Sequence, residues 1–558
     1  MSDNPWLKSY PKNVPLEIDA DSYASIVELF EKSCQKFPEN VSYHNMGKDM
    51  TYAELEKLSG YFAAYLQSLG LKKGDRIAIQ MPNLLQYPVC MFGALRAGLV
   101  VVNTNPLYTE REMEHQFRDS GISAIVILTH FCDKLENVLK KYPVKHVITT
   151  SVGDLLGFPK NVLVNLALRY VKKAVPSYHI STSTSFSKAL IKGMLATRRK
   201  VEIDGNDIAF LQYTGGTTGV SKGAMLTHRN MIANLQQIAA WMSPVIRDSE
   251  EVVITALPLY HIFSLTVNCL NFMKVGANNI LITNPKDMGA FVKELSKHKF
   301  SVVTGVNTLF NGLLHHPDFE NLDFSHLKVT VGGGMAVQTA VAEHWKKVTG
   351  NPLVEGYGLT EASPVLCVNR LDGYEMPGTI GLPMPSTQIA LFDEEGKEVA
   401  QGERGELCAK GPQVMKGYWN RPDETGNTIT KDGWLKTGDV GVMDSDGYFK
   451  IVDRIKDMIL VSGFNVYPNE IEEVISQHPG VLEVAAVGVQ DDKSGEAIKL
   501  FIVKKNEGLT AQTIKEFARE KLTGYKRPKF VEFRKELPKS NVGKILRRLL
   551  KEEVPNNG

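Results

Sequence analysis

The chain has 558 residues, of which 43% are hydrophobic and 23% charged, and carries a formal net charge of +2. That length exceeds what one hydrophobic core spans, so two or more domains are expected; the small net charge offers no general attraction for nucleic acid, and none is expected as a partner. The six cysteines (34, 90, 132, 269, 367 and 408) include no CxxC pair, which argues against a disulfide frame or thiolate zinc site and for free thiols in a reducing compartment.

The first residues, MSDNPWLKSYPKNVP, lack the apolar core of a secretion signal. Short, apolar, β-branched runs at 76–81, 100–103, 124–128 and 146–150 read as strands, with helical patterns such as 84–97 between them. The stretch 87–103 is the most apolar of the chain, but Pro88 and Arg96 interrupt it, so it does not read as a membrane span. Residues 155–201 contain no Asp or Glu and nine basic residues: Lys160, Arg169, Lys172, Lys173, Lys188, Lys192, Arg198, Arg199 and Lys200. Part of this segment, VLVNLALRYVKKAV, mixes apolar residues with cations. A basic amphipathic helix of this kind lies on an anionic bilayer surface or packs as a solvated loop with a small helix. The first reading makes the protein cytoplasmic and peripheral on the inner face of the cytoplasmic membrane.

The strand rhythm recurs at 208–213, 252–257, 279–283, 301–305 and 329–332. The fold class expected is α/β, with two parallel-sheet subdomains covered by helices. Residues 213–223 read YTGGTTGVSKG. This is not a Walker A motif, because Lys222 is followed by Gly223. GAMLT after it reads as a strand, and Thr227 as the N-cap of the next helix. Gly215, Gly216 and Gly219 let backbone amides turn toward anions; Thr214, Thr217, Thr218 and Ser221 supply hydroxyls, and Lys222 a mobile positive charge. The loop, with Tyr213 at its start, therefore reads as a triphosphate grip.

Glycine-bounded short strands over 378–450 predict a small β-rich subdomain. Beyond it, Ile471, Val474 and Ile475 follow helical spacing until His478-Pro479-Gly480. AAVGV and KLFIVK then read as strands and 513–522 as an amphipathic helix. The expected organisation is a domain over 1–453, a hinge at 454–457 and a mobile α+β domain over 458–558. That last unit ends in PKSNVGKILR, residues 538–547, whose Lys544 could reach a site on the first domain. A carboxylate beside a triphosphate is repelled unless a cation lies between them, so Glu361 in EGYGLTE (355–361) suits a Mg²⁺ ligand. Asp439 in KTGD can accept from a ribose diol. His261, in the apolar ALPLYHIF, has no neighbouring acid or Cys pattern that makes a triad or metal site.

The loop, the EGYGLTE motif, the tract DGWLKTGDVGVMDSDGYFKIVDRIK (432–456) and the terminal PKSNVGKILR occur together. This set resembles the adenylate-forming superfamily, which includes acyl-CoA synthetases, luciferase and the adenylation domains of peptide synthetases. The 432–456 tract is similar to the signature stretch of fatty-acyl-CoA synthetases. The resemblance implies an ATP-dependent long-chain fatty acid–CoA ligase that forms acyl-CoA, AMP and pyrophosphate through an acyl-adenylate. ATP and coenzyme A would be co-substrates and Mg²⁺ the metal, held by Glu361 with Thr214. It further implies that Tyr357, Gly358 and Thr360 lie near adenine and α-phosphate, and that Asp439 and Arg454 hold the ribose. Gly332, Gly333 and Gly334 would border adenine and the head of the acyl pocket, which His261 and Val306 would help line. Lys544 would be the catalytic lysine of adenylation, Lys456 the hinge residue, and Ser462, Gly463 and Phe464 the border of the thiol channel. The chain stops fourteen residues after Lys544, which favours diffusible coenzyme A over a tethered carrier arm. A homodimer is admitted, though no residue pattern specifies one. The alternatives are a ligase for a medium-chain or aryl acid, or a non-catalytic, membrane-associated lipid-binding relative.

Overall fold

The computed structural model describes residues 4–214, 221–374, 376–491, 494–540 and 543–553. The N-terminal strands form where the apolar runs place them, as Arg76–Gln80, Val100–Asn103, Ala124–Leu128 and His146–Thr150. They pair in parallel, with Ser183–Ser185 at one edge and the antiparallel pair Ile208–Thr214 and Lys222–Thr227 at the other. All four residues of Val100–Asn103 are buried, the pattern of a strand covered on both faces. Thr227 caps the helix His228–Met242: its hydroxyl accepts from Asn230 N, and the Asn230 side chain accepts from Thr227 N. Such a cap stabilises a helix start by about 1 kcal/mol.

A second sheet runs in the order Leu382–Pro383, Val365–Val368, Leu353–Gly358, Val329–Gly332, Val302–Gly305, Val252–Thr255, Asn278–Leu281, Val41–Asn45 and Lys48–Thr51. Its interior pairs are parallel and the pairs nearest both edges antiparallel. The chain thus exchanges hairpins between its two halves: 41–51 completes the second sheet, and 208–227 closes the first. The sequence rhythm predicts a division near 207; periodicity reports a strand's burial but not its partner.

The β-rich subdomain is an antiparallel meander of Gln388–Phe392, Arg404–Lys410, Leu435–Met443 and Phe449–Arg454. The C-terminal sheet follows, with Ile459–Val461, Phe464–Val466, Val481–Asp491, Gly495–Lys504 and Phe530–Arg534. The helices Pro468–Ser476 and Ala511–Lys521 cover it, burying Ile471, Ile475, Ile514 and Ala518. In the basic segment, Lys160–Leu166 and the π-helical turn Ala167–Val171 bury none of their residues. No helix among the described residues is long and apolar enough to cross a membrane. All six cysteines are free and buried, and burial pushes the Cys132 and Cys269 thiols up to about 12.

Candidate active site

Both large sheets, the meander and the C-terminal unit contribute walls to one cleft of about 2310 Å³. The carboxyl ends of parallel strands point into it, where ligands bind in open α/β sheets. Strand Leu353–Gly358 delivers Tyr357, whose hydroxyl donates to Asp439 Oδ2 at 2.6 Å. Asp439 Oδ1 in turn receives Arg454 Nε at 3.0 Å. Asp439 and Arg454 are direct partners across the antiparallel meander, which is why these two residues of one tract meet. Burial, then the Asp439 carboxylate, raises the Tyr357 hydroxyl well above its ordinary range, so it stays a donor.

At Gly358 the chain passes so close to the next turn that an added Cβ would stand 2.1 Å from the Pro364 carbonyl. That approach sets the short turn Thr360–Ala362 against the cleft. Glu361 is 9% exposed, and its Oε1 accepts from the Tyr418 hydroxyl at 2.7 Å. The Lys222 ammonium lies 5.1 Å from the Tyr418 ring centroid and pairs with Glu424. Thr214, the last residue of its strand, faces Lys222 across the antiparallel pair, and both border the cleft. Ser221 also lines the cleft, and its carbonyl faces His115 Nε2 at 3.0 Å. Tyr213 uses its hydroxyl in a brace, donating to Asp119 Oδ2 at 2.7 Å while Arg421 holds Asp119 Oδ1 at 2.7 Å. Gly215, Gly216, Thr217, Thr218 and Gly219 lie outside the described residues.

Lys544 enters from the C-terminal unit. Its loop closes on itself, with Ser540 N donating to Lys544 O at 2.7 Å and Lys544 N to Ser540 Oγ at 3.1 Å. Gly543 has φ +81°, and the Thr308 hydroxyl donates to its carbonyl at 3.0 Å. An added Cβ on Gly543 would stand 2.6 Å from Thr308 Oγ1. A second tie between the units runs from the Thr339 hydroxyl to Glu473 at 2.7 Å. Burial, then the charge of Arg454, holds the Lys544 ammonium down at about 8, against the pull of Asp439. Burial, then Lys544, pushes His261 down to about 4, so at neutral pH its imidazole is uncharged beside the lysine. Val306, Gly333, Gly334 and Lys456 also line the cleft. Gly332 ends its strand without being among the lining residues, and Ser462, Gly463 and Phe464 form an exposed turn away from the cleft.

The AMP-binding enzyme family matches residues 30–419, and its C-terminal domain matches residues 470–544. The chain belongs to the AMP-binding enzyme family. It is 58% identical over 550 residues to the long-chain-fatty-acid–CoA ligase of Escherichia coli O157:H7, covering 98% of each chain. The Salmonella typhimurium (strain LT2) protein of the same name is 59% identical over 550 residues, again with 98% of each covered. The Bacillus subtilis (strain 168) one is 42% identical over 561 residues, with 100% of this chain and 99% of the relative covered. Among solved structures, an anthranilate CoA ligase in complex with anthranoyl-AMP superposes with a TM-score of 0.85 at 25% identity, covering 96% of this chain and 98% of that one. ATP-bound MatB from Rhodopseudomonas palustris superposes with a TM-score of 0.80 at 28% identity, covering 94% and 98%.

Three features of this AMP-binding enzyme were not read from its sequence. Ile238, Trp241 and Met242, from the helix after the loop, line an apolar arm of the cleft with Phe263 and Val267. Their helical spacing reads as core, because a pocket wall and a core carry the same apolar pattern. Glu355, the first residue of EGYGLTE, accepts from Val337 N and Gly378 N at 3.2 Å, and burial raises it to about 7. Arg547 reaches Asp453 at 3.4 Å, Asp457 at 3.4 Å and Glu472 at 2.6 Å. Its acidic partners lie 75 to 94 residues earlier, so no local pattern distinguishes it from the basic tail. For a divalent cation, Glu361 and Thr214 offer oxygen donors at the cleft wall, the ligand chemistry that Mg²⁺ takes.

Proposed function

We propose that this chain is an ATP-dependent ligase that joins long-chain fatty acids to coenzyme A, releasing AMP and pyrophosphate. The observation that carries the reading is Lys544, brought from a separate unit into the cleft that also holds Asp439, Arg454, Glu361 and an apolar arm. In the first step a carboxylate oxygen attacks the α-phosphorus; the new O–P bond forms as the bond to pyrophosphate breaks. Nucleophile and target are both anionic, so the step needs charge cancellation and alignment more than a base. Lys544 supplies that charge between them. Asp439 and Arg454 hold the ribose, with Tyr357 fixing the Asp439 carboxylate. Thr214, Thr217, Thr218, Ser221 and Lys222 grip the phosphates, and Glu361 with Thr214 would hold Mg²⁺. The ion, when bound, neutralises phosphate charge.

In the second step the thiolate sulfur of coenzyme A attacks the acyl carbonyl carbon; the C–S bond forms and the C–O bond to AMP breaks. Ser462, Gly463 and Phe464 face solvent in this arrangement, so bordering a thiol channel requires rotation of the C-terminal unit about 454–457. The long-chain preference is supported by the apolar arm and by the activity named for the relatives at 51–59% identity. Delivery from a membrane is supported by exposed Phe158, Leu163, Tyr170 and Val171, which neighbour Lys160, Arg169, Lys172 and Lys173 along the chain. We place the protein in the cytoplasm, against the inner face of the cytoplasmic membrane.

The test is substrate-dependent ATP–pyrophosphate exchange across fatty, medium-chain and aryl acids. Exchange strongest with long-chain acids is expected. Exchange confined to aryl acids would reassign the substrate, and no exchange with any acid would remove the ligase reading.

A further inference from the structure

Away from the cleft, two histidines and two carboxylates meet at the outer part of the second sheet. His44 lies on the strand Val41–Asn45; Glu294 lies in the last turn of the helix Met288–Leu295, and His298 follows four residues later. None of the three lines the cleft. His44 Nε2 stands 3.3 Å and His298 Nε2 3.1 Å from Glu294 Oε1. One ligand atom from each residue lies within 4.8 Å of the other two, and the side chains are only 13%, 16% and 18% exposed. Ligands about 2.0–2.1 Å from a tetrahedral zinc ion stand about 3.4 Å apart. Two edges of the triangle therefore already have the spacing of such a polyhedron.

The second nitrogen of His44 strengthens the case. Nδ1 lies 2.5 Å from Asp49 Oδ1. A carboxylate that accepts a hydrogen bond from Nδ1–H fixes the ring and presents Nε2 to an ion, the relay that orients metal-bound imidazoles. His44 Nε2 faces Glu294 Oε1 across 3.3 Å, where a cation held between them would be bound by both. Lys297 takes the other Glu294 oxygen, Oε2, and leaves Oε1 toward the histidines. The two imidazoles pack edge to face with centroids 4.8 Å apart, which restrains both rings.

We propose that His44, Glu294 and His298 bind a zinc-class divalent transition-metal ion, with Asp49 as positioning residue and water as the fourth ligand. Two imidazoles and one carboxylate suit zinc and disfavour Mg²⁺, which takes oxygen donors. The ion joins the N-terminal hairpin of the second sheet to the helix that packs beside it. It is separate from any ion that Glu361 holds.

The test titrates Zn²⁺ into chelator-stripped full-length protein against a colorimetric chelator at pH 7.5. The wild type should take up one equivalent more than His298→Asn. The Asp49→Asn variant should keep the equivalent with an affinity about ten-fold weaker. Zn²⁺, but not Mg²⁺, should raise the thermal midpoint of the wild type and leave that of His298→Asn unmoved. Acyl-adenylate formation should be the same in both proteins. Should His298→Asn fail to fold, Glu294→Gln is read in the same way. Equal Zn²⁺ uptake by wild type and variant would overturn the proposal, and would leave the direct polar contacts among His44, Asp49, Glu294 and His298 as the account of the cluster.

Discussion

Two turns of the C-terminal unit, one at Gly543-Lys544 and one at Ser462-Gly463, have similar backbones and opposite surroundings. Gly543 has φ +81° and Gly463 φ +83°, the left-handed region that favours glycine. Around Gly543 a Cβ would collide with Thr308 of the other domain; around Gly463 it would meet nothing within 4 Å. The Ser462-Gly463 pair makes a two-residue hairpin between Ile459–Val461 and Phe464–Val466, with positive φ at both positions, the turn that matches strand twist. Phe464 is 54% exposed and stacks on Tyr525 with centroids 4.6 Å apart. One face is docked and holds a half-buried lysine; the other is built and exposed. Under the proposed function this difference separates the two half-reactions, with one face serving each.

The sharpest way to break that pairing is Lys544→Ala. Acyl-adenylate formation should fall about 10²–10³-fold, the cost of removing one preorganised charge partner. Thioester formation from supplied acyl-adenylate should be largely spared. Equal loss of both steps in a folded protein would refute the division. The next largest effects come from the two glycines. Gly543→Ala adds about 1–2 kcal/mol of left-handed strain and a clash with Thr308, and should slow adenylation about ten-fold or more. Gly463→Ala carries the strain alone and should slow only thioester formation, by less. Single-turnover assays of each half-reaction check both.

The pH dependence sharpens the same contrast. The Lys544 value in the closed, empty cleft, about 8, lies below its ordinary 10.5. Its charge therefore opposes closure below about 8, and this penalty fades as pH rises from about 8 toward 10.5. Closure then becomes easier while the charge needed for adenylation is lost. The kcat/KM of the first half-reaction should fall by up to about ten-fold per pH unit above about 8, with no such limb in the second. The smallest effect concerns the basic segment: Lys172→Ala should weaken binding to anionic vesicles about five-fold, the worth of one surface cation. Co-sedimentation at low and high salt checks this.

The sequence carried the parallel strands because apolar β-branched runs bounded by turns leave little else to be. It carried the residues brought together at the cleft because each sits in a motif with its own chemistry: Tyr357 and Glu361 in EGYGLTE, Asp439 in KTGD, Lys544 in PKSNVGK. It did not carry the support around them. Thr308 under Gly543, Tyr418 on Glu361, and Arg547 on Asp453, Asp457 and Glu472 all depend on long-range packing. Nor did it carry the share of the apolar arm that comes from the helix His228–Met242, since Trp241 and Met242 have the periodicity of any buried helix face.

The exchanged hairpins have a consequence for how the molecule comes into being. Val41–Asn45 finds its parallel neighbour only when Asn278–Leu281 has been synthesised, and the sheet seeded by Arg76–Gln80 is not closed until Lys222–Thr227 arrives. A nascent chain must therefore keep its earliest hairpin waiting, unmatched, through more than two hundred residues of translation. Cutting the gene between the halves would leave each fragment with a raw sheet edge, while co-expressing the two fragments should let them complement each other.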